Sequence, residues 1–129
     1  MIKIYTDAAT KNNPGPTGLG ALIVADHRQI QLTDHVAEAS NHTGEFLAAQ
    51  MGFEYLVKNF PHDELVLFFT DSRLLSDAVG KNYSKHYADL LKDLNKLMQP
   101  FVTVVTQWIP EAQNHGAHHL ANQALHQIK

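Results

Sequence analysis

Apolar positions in the first third of the chain come in short runs rather than at helical spacing. The segment IKIYT, residues 2 to 6, mixes β-branched and aromatic residues and ends at Asp7, the pattern of a strand. A polar loop rich in glycine and proline, Lys11 to Gly18, leads into a second run, LGALIVAD. Asp26 and His27 mark a tight turn into a third, roughly Arg28 to Ala37. Three strands joined by short connections predict an antiparallel meander.

After Gly44 the period changes. Glu45, Ala49, Gly52 and Leu56 recur at helical spacing, with Ala48 beside them, until Phe60-Pro61 stops the run. LVLFF, residues 65 to 69, is continuously apolar and ends in Thr70-Asp71, as expected of a central strand buried on both faces and parallel to the first. Residues 72 to 80 and 84 to 98 read as two helices separated by Gly80-Lys81-Asn82. The second carries Leu90, Leu91, Leu94, Leu97 and Met98. A last strand, Phe101 to Ile109, and a last helix, about Asn114 to Gln127, complete the order βββαβααβα. That order predicts an α/β fold: a five-stranded mixed sheet, three strands antiparallel and two parallel, flanked by helices.

Length and composition narrow the reading. No repeat, linker or low-complexity tract divides the 129 residues, so a single domain over 1–129 is expected. With 44% hydrophobic and 18% charged residues the chain lies far from the signature of disorder. The absence of cysteine excludes disulfides, thiolate zinc sites and cysteine nucleophiles. The start, MIKIYTD, has no basic segment followed by a long apolar run, and no stretch approaches the ~20 apolar residues that span a bilayer. A cytoplasmic location without membrane contact is the expectation. The formal charge of −3 argues against a strongly basic surface for phosphate backbones, although bound metal ions can supply positive charge locally.

The candidate chemistry is acidic. Asp7 and Asp71 each follow a threonine at the C-terminal end of an apolar strand, the end where ligands collect in open α/β sheets. Glu45 shares a helix face with Ala49, Gly52 and Leu56 and therefore points toward the sheet from the first turn of its helix. Three converging carboxylates repel one another unless cations neutralise them, and oxygen-only ligands suit Mg²⁺ or Mn²⁺. Taken singly, each has a plainer reading: the aspartates as turn openers, the glutamate as a partner of the helix dipole.

Several segments, in order, resemble those of type 1 ribonucleases H. TDAATKNNPGPTGLGALI is similar to their first hairpin, SNHTGE to the segment carrying their glutamate, FFTDSRLLSDAV to their second aspartate motif, and WIPEAQNHGAHHLANQAL to their last strand and helix. The resemblance implies a ribonuclease H-like fold and an endonuclease that cleaves the RNA strand of RNA–DNA hybrids with two Mg²⁺ or Mn²⁺ ions, leaving 5′ phosphates. It implies that Asp7 bridges both ions, that Glu45 and Asp71 serve the first, and that Asn13, Gly15, Asn41, His42, Ser72 and Asn114 contact the hybrid. Lys11 and Arg73 would add phosphate contacts, and His115 would shuttle protons. A monomer with no obligate protein partner is expected.

The chain departs from the family at the fourth metal position, where an acidic residue is usual and His118 stands. An imidazole there implies a preference for Mn²⁺ and loss of ligation on acidification toward pH ~6.5. Other readings make His118 a solvated helix residue, or join it with His115 and His119 in a zinc cluster at i, i+3 and i+4. Glu111 replaces a residue that is often basic, and no basic tryptophan-rich insertion is present, so hybrid binding should be weak and salt-sensitive. The alternatives are a hybrid-binding module with weakened hydrolysis on the same fold and a transposase-like nuclease. The second normally carries flanking domains.

Overall fold

The first forty residues fold as three antiparallel strands, β1 (Ile2–Thr10), β2 (Gly15–Ala25) and β3 (Arg28–Ala39), in the computed structural model, which describes residues 1–128. Asp26 and His27 form the expected turn with φ of 50° and 64°. Both central residues are thus left-handed, which matches the twist of the flanking strands. α1 (Asn41–Asn59), β4 (Leu65–Thr70), α2 (Arg73–Lys81), α3 (Ala88–Met98), β5 (Thr103–Trp108) and α4 (His115–His126) follow, with a 3₁₀ turn at Glu111–Gln113. The sheet order is β3-β2-β1-β4-β5, with β4 parallel to both β1 and β5. Fold class and element order are as the hydrophobic pattern predicts. Among the described residues no helix is long and apolar enough to cross a membrane.

Several boundaries move for local reasons. β1 continues past Asp7 to Thr10 because β2 starts early, at Gly15, and Thr10 pairs with Thr17. α1 begins at Asn41 because the Ser40 hydroxyl accepts the Thr43 N–H at 3.1 Å, a side-chain N-cap. Glu45 consequently lies in the second turn, not the first, so the helix-dipole reading loses its geometric basis. α3 begins at Ala88, since Ser84 Oγ accepts the Tyr87 N–H at 3.0 Å and holds residues 84–87 in a turn.

One face of the sheet carries the main core. Ile2, Ile4, Ile23, Val66 and Phe68 meet Phe46, Phe53 and Leu56 of α1, Leu75 of α2 and Leu94 of α3, all fully buried. Burial of each such side chain contributes about 1.5–3 kcal/mol. The opposite face is built for close approach. Side chains alternate along β2, so Gly18 and Gly20 face away from α1 and toward α4. A Cβ on Gly20 would fall 2.5 Å from the Ala117 carbonyl oxygen and 2.6 Å from Ala121 N. The two glycines therefore let the backbone of α4 rest almost directly on β2. Gly20 is the cross-strand partner of Asp7, so this contact also sets α4 above Asp7.

Candidate metal centre

β1 and β4 pair in parallel from Ile2–Val66 to Thr6–Thr70 and part there. Asp7 and Asp71 are the next residues of each chain segment, and their carboxylates emerge at the opening. Glu45 reaches the same point from α1. One carboxylate oxygen from each of the three lies within 4.8 Å of the others, with Asp7 and Glu45 each only 4% exposed and Asp71 half-buried. They open onto a cleft of about 150 Å³ whose walls include Asn41, Glu111 and His118.

Polar contacts hold the frame of the cleft. Asn114 is fully buried, and its Nδ2 donates to the Thr6 carbonyl at 2.9 Å and to Asp71 Oδ2 at 3.2 Å, tying the start of α4 to β1 and to the end of β4. Trp108 Nε1 donates to the Asp71 carbonyl at 3.0 Å, while the Arg73 guanidinium lies 3.8 Å above the indole ring. His118 Nδ1 sits 2.9 Å from Asp7 Oδ2.

Burial and neighbouring carboxylates raise all three carboxyls. Burial, and then the Asp7 and Asp71 charges, push the Glu45 carboxyl well above its usual range. Burial and the Asp71 charge raise Asp7 against the opposing hydrogen bond from His118. Burial raises Asp71, with a further push from Glu111 and an opposing hydrogen bond from Asn114. Glu45 Oε2 is buried without any hydrogen-bond partner. An orphaned carboxylate oxygen beside two further carboxylates fits a divalent cation, and the all-oxygen donor set fits Mg²⁺ or Mn²⁺.

The other residues singled out in the sequence distribute unevenly. Asn41 lines the cleft, and its N–H donates to Asn13 Oδ1 at 2.8 Å, linking the β1–β2 loop to the start of α1. Gly15 is buried at the head of β2, and Lys11 is exposed nearby. His42 is exposed and turns its ring edge to Tyr87, outside the cleft. The Ser72 hydroxyl accepts the Leu75 N–H at 3.1 Å and caps α2, while the Asn114 amide points inward; both hold the frame of the cleft in place. His115 is exposed at the first residue of α4. The zinc cluster does not form: among the described residues the only group of three or more possible ligands is Asp7, Glu45 and Asp71. His115 and His119 face solvent while His118 turns in to Asp7.

Two features escaped the sequence reading. Glu111 belongs to the cleft wall and acts on Asp71 by charge, not only as an absent phosphate contact. Its signal was its place directly after Trp108-Ile109-Pro110, at the end of the strand next to β4. Asn122, one turn beyond His118, hydrogen-bonds the imidazole, and only its i+4 spacing hinted at that.

Comparison with known proteins agrees with this geometry. A family model described as reverse transcriptase-like matches residues 5–124. The protein EbsB of Enterococcus faecalis is 35% identical over 127 residues, 97% of this chain and 94% of that one. A ribonuclease H of Trichodesmium erythraeum is 35% identical over 86 residues, 67% of this chain and 52% of its own length. The crystal structure of RNase H1 from Halobacterium salinarum superposes with a TM-score of 0.86 at 25% identity, covering 97% of each chain. The chain belongs to the type 1 ribonuclease H family. This ribonuclease H spans 94% of the length of the Enterococcus faecalis relative, 52% of the Trichodesmium erythraeum one and 35% of a Mycobacterium tuberculosis relative, Rv2228c. The matched region contains Asp7, Glu45, Asp71 and His118 together.

Proposed function

We propose that this ribonuclease H hydrolyses the RNA strand of RNA–DNA hybrids, acting as a metal-dependent endonuclease that leaves 5′ phosphates. The observation that carries the reading is the buried, mutually repelling set Asp7, Glu45 and Asp71, with Glu45 Oε2 lacking any partner, at the point where β1 and β4 part. In the proposal Asp7, Glu45 and Asp71 would hold the first ion, and Asp7 with His118 beside it would hold the second. Bound Mg²⁺ or Mn²⁺ would activate the attacking water and stabilise the leaving 3′ oxygen. Mn²⁺ would be preferred to the extent that the His118 nitrogen reaches the ion where an acidic residue is usual.

The chain's own residues supply positioning. Asn114 and Trp108 fix Asp71 through its side chain and its carbonyl, so the carboxylate does not swing with its loop. Asn41 and the Asn13 loop are tied together at the cleft mouth, where a minor-groove edge bearing 2′-hydroxyls would lie. His42, Gly15, Lys11, Arg73 and His115 belong to the outer contact surface in this proposal, with His115 exposed enough to exchange protons with solvent. We place the activity in the cytoplasm, with the protein as a monomer.

A second reading, a hybrid-binding module with weakened hydrolysis, is favoured by one contact: His118 Nδ1 already faces Asp7 at 2.9 Å. One assay decides. Labelled RNA–DNA hybrid, double-stranded RNA and double-stranded DNA are incubated in Mg²⁺ or Mn²⁺, beside Asp71→Asn. Cleavage confined to the hybrid and lost in Asp71→Asn is expected. Hybrid binding without cleavage in either ion would establish the second reading, and cleavage of duplex DNA would refute hybrid specificity.

A further inference from the structure

Asn122 places one nitrogen against two acceptors. Its Nδ2 lies 3.0 Å from the His118 carbonyl oxygen and 3.1 Å from His118 Nε2. The main-chain carbonyl has no hydrogen to give, so the atom facing it must be the amide nitrogen rather than Oδ1. Orientation of the Asn122 side chain is thus fixed by the helix backbone, independently of the imidazole. An amide NH₂ carries two hydrogens and offers no lone pair, so Nε2 has to meet it as an acceptor. The proton of the neutral ring is then on Nδ1, the nitrogen that faces Asp7 Oδ2.

We infer that Asn122 is a positioning residue that holds His118 as its Nδ1–H tautomer, so that His118 donates to Asp7 and withholds the Nδ1 lone pair from a cation. Histidines that ligate metals ordinarily donate their second N–H to a carboxylate or carbonyl, which frees the other nitrogen to bind. Asn122 presents the reverse, a donor. Moving the ring proton to Nε2 sets two N–H groups against each other. Turning the Asn122 amide to offer Oδ1 sets two carbonyl oxygens against each other. Either rearrangement loses hydrogen bonds at a half-buried site, so the second ion is held weakly for a reason beyond the missing negative charge.

The tautomer stands independently of the proposed nuclease activity, whereas the effect on the second ion rests on that reading. The metal-free protein, labelled with ¹⁵N, is observed in a long-range ¹H–¹⁵N correlation spectrum, with the His118 ring assigned by its loss in His118→Gln. A protonated Nδ1 and an unprotonated Nε2 are expected. Unconstrained histidines in water favour Nε2–H, so finding that form at His118 would overturn the inference without touching the hybrid assay. Calorimetric titration with Mn²⁺ tests the consequence. In Asn122→Ala the weaker site should tighten roughly three- to tenfold, the effect of removing one opposing hydrogen bond, with the stronger site unchanged. An unchanged or weakened second site would refute control by Asn122.

Discussion

Replacing Glu45 by glutamine should make the metal-free protein more stable while removing its capacity to be stabilised by divalent ions. Two carboxylates 4.8 Å apart repel by roughly 3 kcal/mol at an effective dielectric of about 20, and Glu45 faces both Asp7 and Asp71 within that distance. Burial first, and then this repulsion, push the Glu45 carboxyl upward, and proton uptake relieves part of both. A gain of about 1–3 kcal/mol in EDTA at pH 7 is therefore expected, with the new amide NH₂ donating toward Asp7 or Asp71. For a domain of this size that corresponds to a rise of roughly 3–10 °C in Tm. The pH dependence has a definite sign. All three carboxyls have folded-state values raised above the unfolded ones, so above about pH 4 the native state holds more protons and metal-free stability falls as pH rises toward neutrality. Glu45→Gln should flatten that fall. Thermal melts of both proteins in EDTA and in saturating Mg²⁺ or Mn²⁺, from pH 5 to 8, check it. The ions should raise the wild-type Tm and move the variant far less. A variant less stable than wild type in EDTA at pH 7, or equal stabilisation of both by ions, would show that the three carboxylates are not a cation site.

Gly20→Ala should destabilise by at least 1–3 kcal/mol, because the added methyl meets the α4 backbone and not a movable side chain; denaturant melts read the loss. Cleavage should fall further than stability alone accounts for, since α4 carries His118 above Asp7. Asn114→Ala should cost about 1–3 kcal/mol by leaving the buried Thr6 carbonyl unpaired, and should also lower the hybrid cleavage rate by freeing Asp71; calorimetry and steady-state kinetics separate the two. Glu111→Lys should tighten metal-free binding of the hybrid and steepen its salt dependence by about 0.7–0.9 in log–log slope for one added phosphate contact. Fluorescence anisotropy across a salt series measures that, and an unchanged slope would place Glu111 away from the phosphates.

Asp7 and Asp71 were legible because each follows a threonine directly after an apolar run, and Glu45 because it interrupts an apolar helix face. Element order was legible from the switch between short apolar runs and helical spacing. What escaped was whatever depends on side-chain hydrogen bonds rather than on burial. The Ser40 cap lengthens α1 by a turn of His42, Thr43 and Gly44 that carries no apolar period. The Ser84 turn shortens α3 although its leucine spacing invites a longer helix. Asn114 and Ser72 were legible as polar groups near the cleft, but the backbone groups they hydrogen-bond were not. Glu111 and Asn122 gain meaning only from neighbours across the cleft and one turn along the helix.

β1 is the middle strand of five, and Asp7 sits on it with α1 against one face and α4 against the other. Middle strands do not fray; amides there exchange with solvent chiefly when the whole domain opens. Ions that bind at Asp7 are therefore coupled to the opening of the whole domain, and their binding adds to its global stability. The same placement orders events during synthesis. A growing chain that has already made Asp7, Glu45 and Asp71 still lacks the helix that covers β1, so the ligands exist before the site does, and an unfinished chain emerges without a formed nuclease centre beside nearby RNA.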